Sequence, residues 1–443
     1  MIVGSNKVKN WQNYQRQLKW TDKRRLFLSR LPILGMYAAG CLLFLILMFY
    51  TGSWIYGHLK DYDIQAWKGT KKEEIKPAGL TREDLPLLLA DLKLSPSPVS
   101  GDYILTDNTS ELVANTSLDT SLQNYIARLL NRSMTHQAAV VVLRPDNGQV
   151  LAMVSYAKDG SVTDGDLCLQ AEQPAASLFK IVAAAAAIEA REFTPNTPLY
   201  FNGGKYTLYK KQLTQDKNRY TNKTSLGGAF SGSINPVFGR LGIDLGQELL
   251  SNYSDKFLFN YQIPFDLSLQ ESSIAVPDDD FGLAEIASGF NKRTLISPLH
   301  AALMTSAVAN NGIIMVPWMV VDVKDQSDQV LYKSSPAILS RAVTQDTAVK
   351  LKALMRETVK SGTVRKAFQS LMKKRVFKTM DMGAKTGTIN DRLDKYKFDW
   401  LTSYAIPGEG SGICIAVLAV HGEKLGIRAK DLARYIINYH FTS

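Results

Sequence analysis

The feature that most limits how this chain can fold is an apolar run, Leu31 to Leu59, that contains no Lys, Arg, Asp or Glu. Its centre, Leu31 to Tyr50, is long enough for one helix to cross the ~30 Å of hydrocarbon in a bilayer. Trp54 and Tyr56 follow it, where aromatic side chains favour a membrane interface. A cleaved signal peptide has a shorter apolar stretch and a small-residue cleavage site, and no such site follows Tyr50. The sequence therefore predicts one transmembrane helix, residues 31–56.

A lipoprotein signal is the alternative interpretation of the same run, because Ala38-Ala39-Gly40-Cys41 resembles the site at which a cysteine is lipidated. A lipidated cysteine normally opens a polar tether. Here the apolar run continues from Leu42 to Phe49. The length of the run favours an uncleaved anchor.

The positive charge of the chain is concentrated ahead of the apolar run. The net charge is +11, and the first 30 residues hold +7 of it, with Asp22 as their only carboxylate. A basic arm beside an apolar segment is the positive-inside pattern, which predicts a cytoplasmic N-terminus and an external position for everything after Tyr56. Because the rest of the chain is nearly balanced in charge, we expect no nucleic-acid binding.

The chain divides by composition into four predicted parts. Residues 1–30 form the basic arm, 31–56 the anchor, 57–109 a polar stalk or linker, and 110–443 one large domain. Within the stalk we expect a short helix, Thr81 to Lys93, with Thr81 as N-cap and Asp84 at the capping-box position.

The pattern of residues 110–443 predicts an α+β domain. Near its start, Ala138–Leu143 and Gln149–Tyr156 flank a turn and form a hairpin. Near its end, strands are expected in 375–389, 400–406 and 412–420, followed by a helix in 428–440. Helical patterns occupy 121–130, 177–191, 226–230, 236–241, 281–290, 298–310 and 347–361. Hairpins at both ends with helices between them indicate an antiparallel sheet with a flanking helical subdomain.

Metal chemistry and a disulfide framework are not indicated by the sequence. The five histidines are scattered, without an i,i+4 pair or a zinc signature. Cys41 lies in the apolar run, and we expect Cys168 and Cys414 to be two buried thiols. The sequence thus predicts neither a metal nor a cofactor.

The stretch Ser177-Leu178-Phe179-Lys180 carries the first candidate chemistry. Residues three apart on a helix lie on one face, with Cβ atoms about 5–6 Å apart. A lysine in that position can take the serine proton if burial or a neighbouring cation lowers its pKa. Any serine and lysine three apart fit this pattern, so the pair alone is weak evidence.

Two further motifs follow in order along the chain. Ser233-Ile234-Asn235 comes 56 residues after Ser177, in a predicted loop between short helices. Lys385-Thr386-Gly387-Thr388 comes 208 residues after Ser177, on a predicted strand. Ser-x-x-Lys, Ser-x-Asn and Lys-Thr-Gly in that order are the signature of class A β-lactamases and penicillin-binding proteins. Residues from about 110 to 443 therefore resemble a penicillin-binding protein transpeptidase domain.

Other segments agree with this resemblance. They are the hairpin Leu143–Met153, the small-residue segment Leu226–Phe230, Ser297-Pro298-Leu299 with Ala309–Gly312, and Asp399-Trp400. The chain departs from the family at two places. Ala175-Ala176 stands where Pro-Gly commonly precedes the nucleophile, and Pro236 directly follows Asn235.

The resemblance implies a role for each motif residue. Ser177 would attack the D-Ala-D-Ala carbonyl of a peptidoglycan stem peptide and form an acyl-enzyme, with Lys180 as general base. Ser233 would relay a proton to the departing D-Ala, and Asn235 would hold the amide of the donor peptide.

The Lys-Thr-Gly strand would bind the substrate. Lys385 would lower the pKa of Lys180 and attract the substrate carboxylate. Thr386 and Thr388, with Gly387 between them, would bind that carboxylate. The backbone N–H groups of Ser177 and Thr388 would form the oxyanion hole.

The resemblance implies a monofunctional, penicillin-sensitive D,D-transpeptidase of the bacterial inner (cytoplasmic) membrane, with its catalytic domain in the periplasm. Its partners would be peptidoglycan stem peptides, β-lactams as covalent inhibitors, and a membrane glycosyltransferase of the cell-wall machinery. Residues 57–110 are too few for the glycosyltransferase domain of bifunctional members.

Three alternatives stay open. A D,D-carboxypeptidase differs only in using water as the acceptor. A class A β-lactamase needs a glutamate about as far after the nucleophile as Glu271 is here, but Glu271 is not followed by the expected leucine and asparagine. A non-catalytic β-lactam sensor or scaffold would keep the fold, yet every catalytic position is filled.

Overall fold

The computed structural model describes residues 80–90, 93–96, 103–106, 112–161, 166–214 and 217–443. All of them belong to Pro77–Ser443, one of two units into which the chain divides. The predicted basic arm and transmembrane anchor lie outside the described residues. Within the described part of the chain, no helix is both long and apolar enough to cross a membrane.

The helices and strands are numbered here in chain order. The helices are α1 Leu85–Leu88, α2 Thr120–Asn131, α3 Asp166–Leu169, α4 Lys180–Ala190, α5 Leu226–Ser231, α6 Asn235–Lys256, α7 Asp280–Ser288, α8 Pro298–Ala309, α9 Gln345–Lys360, α10 Arg365–Met372 and α11 Ala429–Thr442. Short 3-10 turns lie at Arg82–Asp84, Ala176–Phe179, Lys210–Gln212 and Arg375–Phe377.

The strands are β1 Lys93–Pro96, β2 Tyr103–Thr106, β3 Leu112–Thr116, β4 Gln137–Leu143, β5 Val150–Ala157, β6 Gln173–Pro174, β7 Pro198–Phe201, β8 Asn222–Ser225, β9 Leu295–Ile296, β10 Ile313–Met315, β11 Val320–Asp325, β12 Val330–Lys333, β13 Ile338–Arg341, β14 Asp381–Asn390, β15 Lys397–Ile406 and β16 Ile413–His421.

A five-stranded antiparallel sheet, in the order β14-β15-β16-β4-β5, forms the centre of the domain. The two ends of the domain meet in it, because β4 pairs with β16. Along β4, Val140 and Val142 join a cluster with α2, α10 and α11, whereas Ala139 and Val141 join a cluster with α4 and α8. The sheet is thus covered by helices on both faces, which explains why β16 is a continuous apolar run. The predicted α+β class with an antiparallel sheet is confirmed.

The predicted hairpins and most predicted helices are present within a few residues of their expected ends. The main difference among the helices is at 236–241, which is part of the longer helix α6, interrupted at Gly246 (φ 77°). Ser177 lies in the 3-10 turn before α4 rather than in the α-helix itself. Cys168 and Cys414 are buried thiols, as expected.

The folded structure begins earlier than the boundary expected at residue 110. Leu85 and Leu89 are buried in the main core, and β1, β2 and β3 form a second antiparallel sheet with β11 and β12. Thr81 is an N-cap whose backbone N–H donates to the Asp84 carboxylate, as predicted. The helix ends at Leu88, however, because pairing with β2 makes Lys93 the start of a strand. Tertiary pairing overrides local helix propensity here.

Candidate active site

The three motifs, although far apart in the chain, meet at the edge strand of the central sheet. Ser177 lies in the 3-10 turn before α4, and Lys180 is the first residue of α4. Ser233 lies between α5 and α6, with Asn235 opening α6, and Lys385 lies on β14. The indole of Trp400 on β15 donates to the Pro174 carbonyl at 2.9 Å and so fixes the segment that leads into Ser177.

Lys180 is the centre of the hydrogen-bond network. Its Nζ donates to Ser177 Oγ at 2.8 Å, to Asn235 Oδ1 at 2.8 Å and to the backbone carbonyl of Ser288. Three acceptors match the three N–H groups of an ammonium. When the amine is neutral, two N–H groups remain for Asn235 and Ser288, and the lone pair is left facing the Ser177 hydroxyl. This arrangement positions a base on the candidate nucleophile.

The surroundings of Lys180 favour the neutral amine. The side chain is completely buried, and the Phe238 ring lies 5.5 Å from Nζ. Burial lowers the pKa of Lys180 well below its ordinary value, and the nearby charge of Lys385 lowers it further. Among the described residues, Lys180 forms no ion pair with a carboxylate that would restore its charge.

Lys385 and Ser233 form the second half of the site. The Nζ of Lys385 donates to Ser233 Oγ at 3.0 Å and to the Thr386 carbonyl at 2.7 Å. Burial lowers the pKa of Lys385 to about 7, so it can gain or lose a proton near neutral pH. Ser233 adopts a left-handed conformation, φ 52°, which costs a non-glycine residue ~1–3 kcal/mol. In this conformation its hydroxyl accepts the hydrogen bond from Lys385.

Asn235 is anchored by a loop that the sequence did not single out. Its backbone N–H donates to the Lys205 carbonyl at 2.7 Å, and its Nδ2 donates to the Tyr206 carbonyl at 3.0 Å. Because Nδ2 is held in this way, Oδ1 must point to Lys180. Backbone acceptors carry no side-chain signature, so no sequence motif could have identified Lys205 and Tyr206.

The substrate-binding residues predicted on β14 lie on an edge strand. Thr386 Oγ1 hydrogen-bonds Thr363 Oγ1 at 2.8 Å, and Thr388 is exposed. A Cβ on Gly387 would lie 3.3 Å from the Cβ of Ala176, so glycine lets β14 lie against the turn that carries the nucleophile. An edge strand can accept an extended peptide by adding backbone hydrogen bonds.

Residues 138–437 match the family model described as the penicillin binding protein transpeptidase domain. This chain belongs to that family.

Similar proteins include stage V sporulation protein D of Bacillus subtilis, 25% identical over 56% of this chain and 39% of the relative. Peptidoglycan D,D-transpeptidase MrdA of Haemophilus influenzae is 26% identical over 73% of this chain and 55% of the relative. The chain thus spans less than two thirds of the length of either relative.

Solved structures show the same fold. The D,D-transpeptidase domain of a peptidoglycan glycosyltransferase from Eggerthella lenta is similar with a TM-score of 0.61 and 23% identity, covering 74% of this chain and 82% of that one. Penicillin-binding protein A from M. tuberculosis, in an imipenem acyl-enzyme complex, has a TM-score of 0.60 and 23% identity, covering 74% and 79%.

The alanine at position 176, where the family commonly has glycine, has an unfavourable backbone conformation. Ala176 is left-handed, φ 50°, a conformation in which glycine is favoured. Its carbonyl lies against Gly289, where an added Cβ would come within 1.9 Å of that oxygen. Gly289 ends α7 in a left-handed conformation directly after Ser288, whose carbonyl binds Lys180. The sequence signal for this contact was Gly289 itself, a glycine near the end of a helical pattern.

The glutamate considered for a β-lactamase is not part of this network. Glu271 is exposed, and the described hydrogen bonds of Ser177 and Lys180 go to one another, to Asn235 and to Ser288. The geometry therefore places Lys180 against Ser177 and gives Glu271 no described contact with the nucleophile.

Proposed function

We propose that the protein is a peptidoglycan D,D-transpeptidase that cross-links stem peptides through an acyl-enzyme at Ser177. The observation that carries this proposal is the buried Lys180, whose lone pair faces Ser177 Oγ once the amine is neutral. The names of relatives such as the peptidoglycan D,D-transpeptidase of Haemophilus influenzae support the same reaction.

Acylation follows from the contacts of the two lysines. Ser177 Oγ gives its proton to Lys180 Nζ and forms a bond to the carbonyl carbon of D-Ala-D-Ala. The backbone N–H groups of Ser177 and Thr388 stabilise the oxyanion. The C–N bond then breaks, and the leaving amine takes a proton from the hydroxyl of Ser233. Ser233 regains a proton through Lys385, to which it is hydrogen-bonded.

Deacylation uses the same groups in reverse. An acceptor amine attacks the ester carbonyl, and its proton passes through Ser233 to Lys385. The bond between the carbonyl carbon and Ser177 Oγ then breaks as the protonated Lys180 returns its proton to Ser177 Oγ. The products are a cross-linked peptide and the free serine. Lys385 attracts the C-terminal carboxylate of the donor, and Thr386 and Thr388 bind it before acylation. Asn235 holds the peptide amide of the donor.

The products formed from a stem peptide test this proposal. We expect the purified full chain, given a D-Ala-D-Ala stem peptide and an amine acceptor, to release D-Ala and form the cross-linked dimer, as measured by mass spectrometry. Release of D-Ala with only the hydrolysed peptide would establish a D,D-carboxypeptidase instead. Absence of both products from protein that still binds penicillin would favour a sensor or scaffold.

We further propose that residues 31–56 anchor the protein in the bacterial inner membrane, with the domain in the periplasm. The +7 charge of the first 30 residues supports this orientation. A membrane glycosyltransferase is the proposed partner, because cross-linking acts on glycan strands that another enzyme polymerises.

This topology predicts that a reporter active only outside the cytoplasm works when it is fused after Tyr56. We also expect the mature chain to keep its N-terminal residues, which N-terminal sequencing of the purified protein can check. The matched control places the same reporter before Leu31, where it should be inactive. A mature chain that begins at a lipidated Cys41 would establish the lipoprotein interpretation instead.

A further inference from the structure

A loop beside Asn235 presents aromatic rings and positive charge to solvent. Residues 204–212 and 217–223, which follow β7 and extend into the first half of β8, are called here the basic tyrosine loop. Its tyrosines Tyr206, Tyr209 and Tyr220 are 64%, 57% and 69% exposed. Its cations are also exposed, and they are Lys205, Lys210, Lys211, Lys217, Arg219 and Lys223. The sequence from 204 to 223 holds one acidic residue, Asp216, against these six cations. Exposed rings interspersed with cations are typical of a surface that binds a large anionic ligand.

The first part of this loop is held in one conformation by a buried amide. Gln212 is only 3% exposed. Its Nε2 donates to the carbonyls of Asn202 and Gly204 at 2.9 and 3.2 Å, and its Oε1 accepts from the Tyr209 N–H and the Thr207 hydroxyl at 2.9 and 3.1 Å. A satisfied buried polar group of this kind fixes the backbone around it. The tyrosine rings therefore stay in water on an ordered loop.

The basic tyrosine loop is connected directly to the catalytic network. Asn235 hydrogen-bonds Lys180 through Oδ1 and the loop carbonyls of Lys205 and Tyr206 through its two N–H donors. Leu208 of the loop packs on α6 at Gly239, one turn beyond Asn235. A substrate whose reacting end lies at Ser177 therefore has this loop as its immediate neighbour.

We propose that the basic tyrosine loop binds the glycan-linked part of the donor substrate, an anionic stem peptide attached to sugar rings. The lysines pair with the stem-peptide carboxylates, and the tyrosine rings pack on the sugars. This inference rests on the proposed function and names a second binding region for the same substrate. Contacts remote from the reacting bond help to position the substrate at the nucleophile. The hydrogen bonds to Asn235 favour substrate over an anionic membrane surface as the occupant.

Binding can be measured without turnover in the full chain carrying Ser177→Ala. The probe is a soluble disaccharide linked to a pentapeptide that ends in D-Ala-D-Ala. The added triple change Lys210→Glu, Lys211→Glu and Lys217→Glu should raise the Kd by about tenfold or more, because three favourable charge pairs become repulsive. The Kd of the protein without the triple change should also rise with salt, since exposed charges are screened.

A matched control triple reverses three exposed lysines on and after α10, which packs on the opposite face of the central sheet: Lys366, Lys373 and Lys378. It should leave the Kd unchanged. In the protein with Ser177 intact, penicillin should acylate the loop triple at the normal rate, because this small inhibitor does not reach the loop. That measurement also shows that the triple folds.

The outcomes separate this inference from the proposed function. A Kd unchanged by the loop triple would overturn the inference, as would equal losses in both triples. The loop triple could instead lose binding to anionic phospholipid vesicles while its Kd for the probe stays unchanged. The loop would then be a membrane contact, and the inference would be overturned. If the wild-type protein cross-links nothing but the loop triple weakens probe binding, the inference stands and the proposed function fails.

Discussion

Penicillin is expected to label the purified protein covalently at Ser177, and Ser177→Ala should abolish the label. The reason is that Ser177 Oγ is the hydroxyl that faces Lys180 Nζ at 2.8 Å. The adduct should persist for many minutes, because Glu271 is exposed and outside the described contacts of the nucleophile. An acyl-enzyme survives unless a base activates water beside the ester. Fluorescent penicillin, gel detection and peptide mapping measure the label and its loss with time.

Thermal unfolding serves as the control for this substitution. Ser177 is a small, partly exposed residue, so removal of its hydroxyl should leave the melting temperature close to that of the wild type. A label that persists in Ser177→Ala, or that maps to Ser233, would contradict the assignment. Rapid turnover of penicillin that is lost in Glu271→Ala would identify the protein as a β-lactamase.

Replacement of Lys180 should slow acylation by ~10² or more, the usual cost of removing a general base. Lys180→Ala removes the lone pair and leaves Asn235 Oδ1 and the Ser288 carbonyl without their buried donor. Lys180→Arg is the matched variant, because it keeps a donor and a positive charge but has no lone pair to accept a proton. Stopped-flow acylation by a chromogenic β-lactam measures both. Normal acylation by Lys180→Arg would contradict the role of Lys180 as base.

The pH dependence of acylation follows from the same pair of lysines. Lys180 must be neutral to accept a proton, so the rate rises with pH, and burial places this rise well below the ordinary pKa of lysine. Lys385 must be protonated to attract a carboxylate, and its pKa of about 7 makes kcat/KM fall above that pH. The profile of the free enzyme should therefore be bell-shaped. A profile that rises up to pH 10 would contradict this assignment.

The sequence was informative where side chains carry the chemistry. The order of the motifs predicted that Ser177, Lys180, Ser233, Asn235 and Lys385 would share a site. The structure places them in two neighbouring hydrogen-bonded groups, one around Lys180 and one around Lys385. Apolar runs beside turns located the strands of the central sheet, because burial of both faces leaves long apolar runs, and helical patterns located its helices. The individual catalytic roles of the five motif residues stay predictions that the substitutions above will test.

The sequence was uninformative where the backbone carries the contact. The carbonyls of Ser288 and Tyr206 orient Lys180 and Asn235, yet any residue has a carbonyl. The helix expected from Thr81 to Lys93 was wrong beyond Leu88, since the decisive interaction is pairing of β1 with β2. Pairing between strands depends on residues outside the helical window, which a local helical pattern does not contain.

The burial of two lysines without carboxylate partners among the described residues has a cost for the whole fold. Because burial lowers the pKa of Lys385 from 10.5 to about 7, the unfolded chain binds more protons between those values. The contribution of Lys385 to the free energy of unfolding therefore falls as pH falls from about 10.5 to about 7. An apolar replacement of similar size at Lys180 or Lys385 would remove this desolvation cost and end the chemistry. At Lys180 it would also leave the Asn235 and Ser288 oxygens without a buried donor. Selection for stability alone would thus favour replacements that remove the active site.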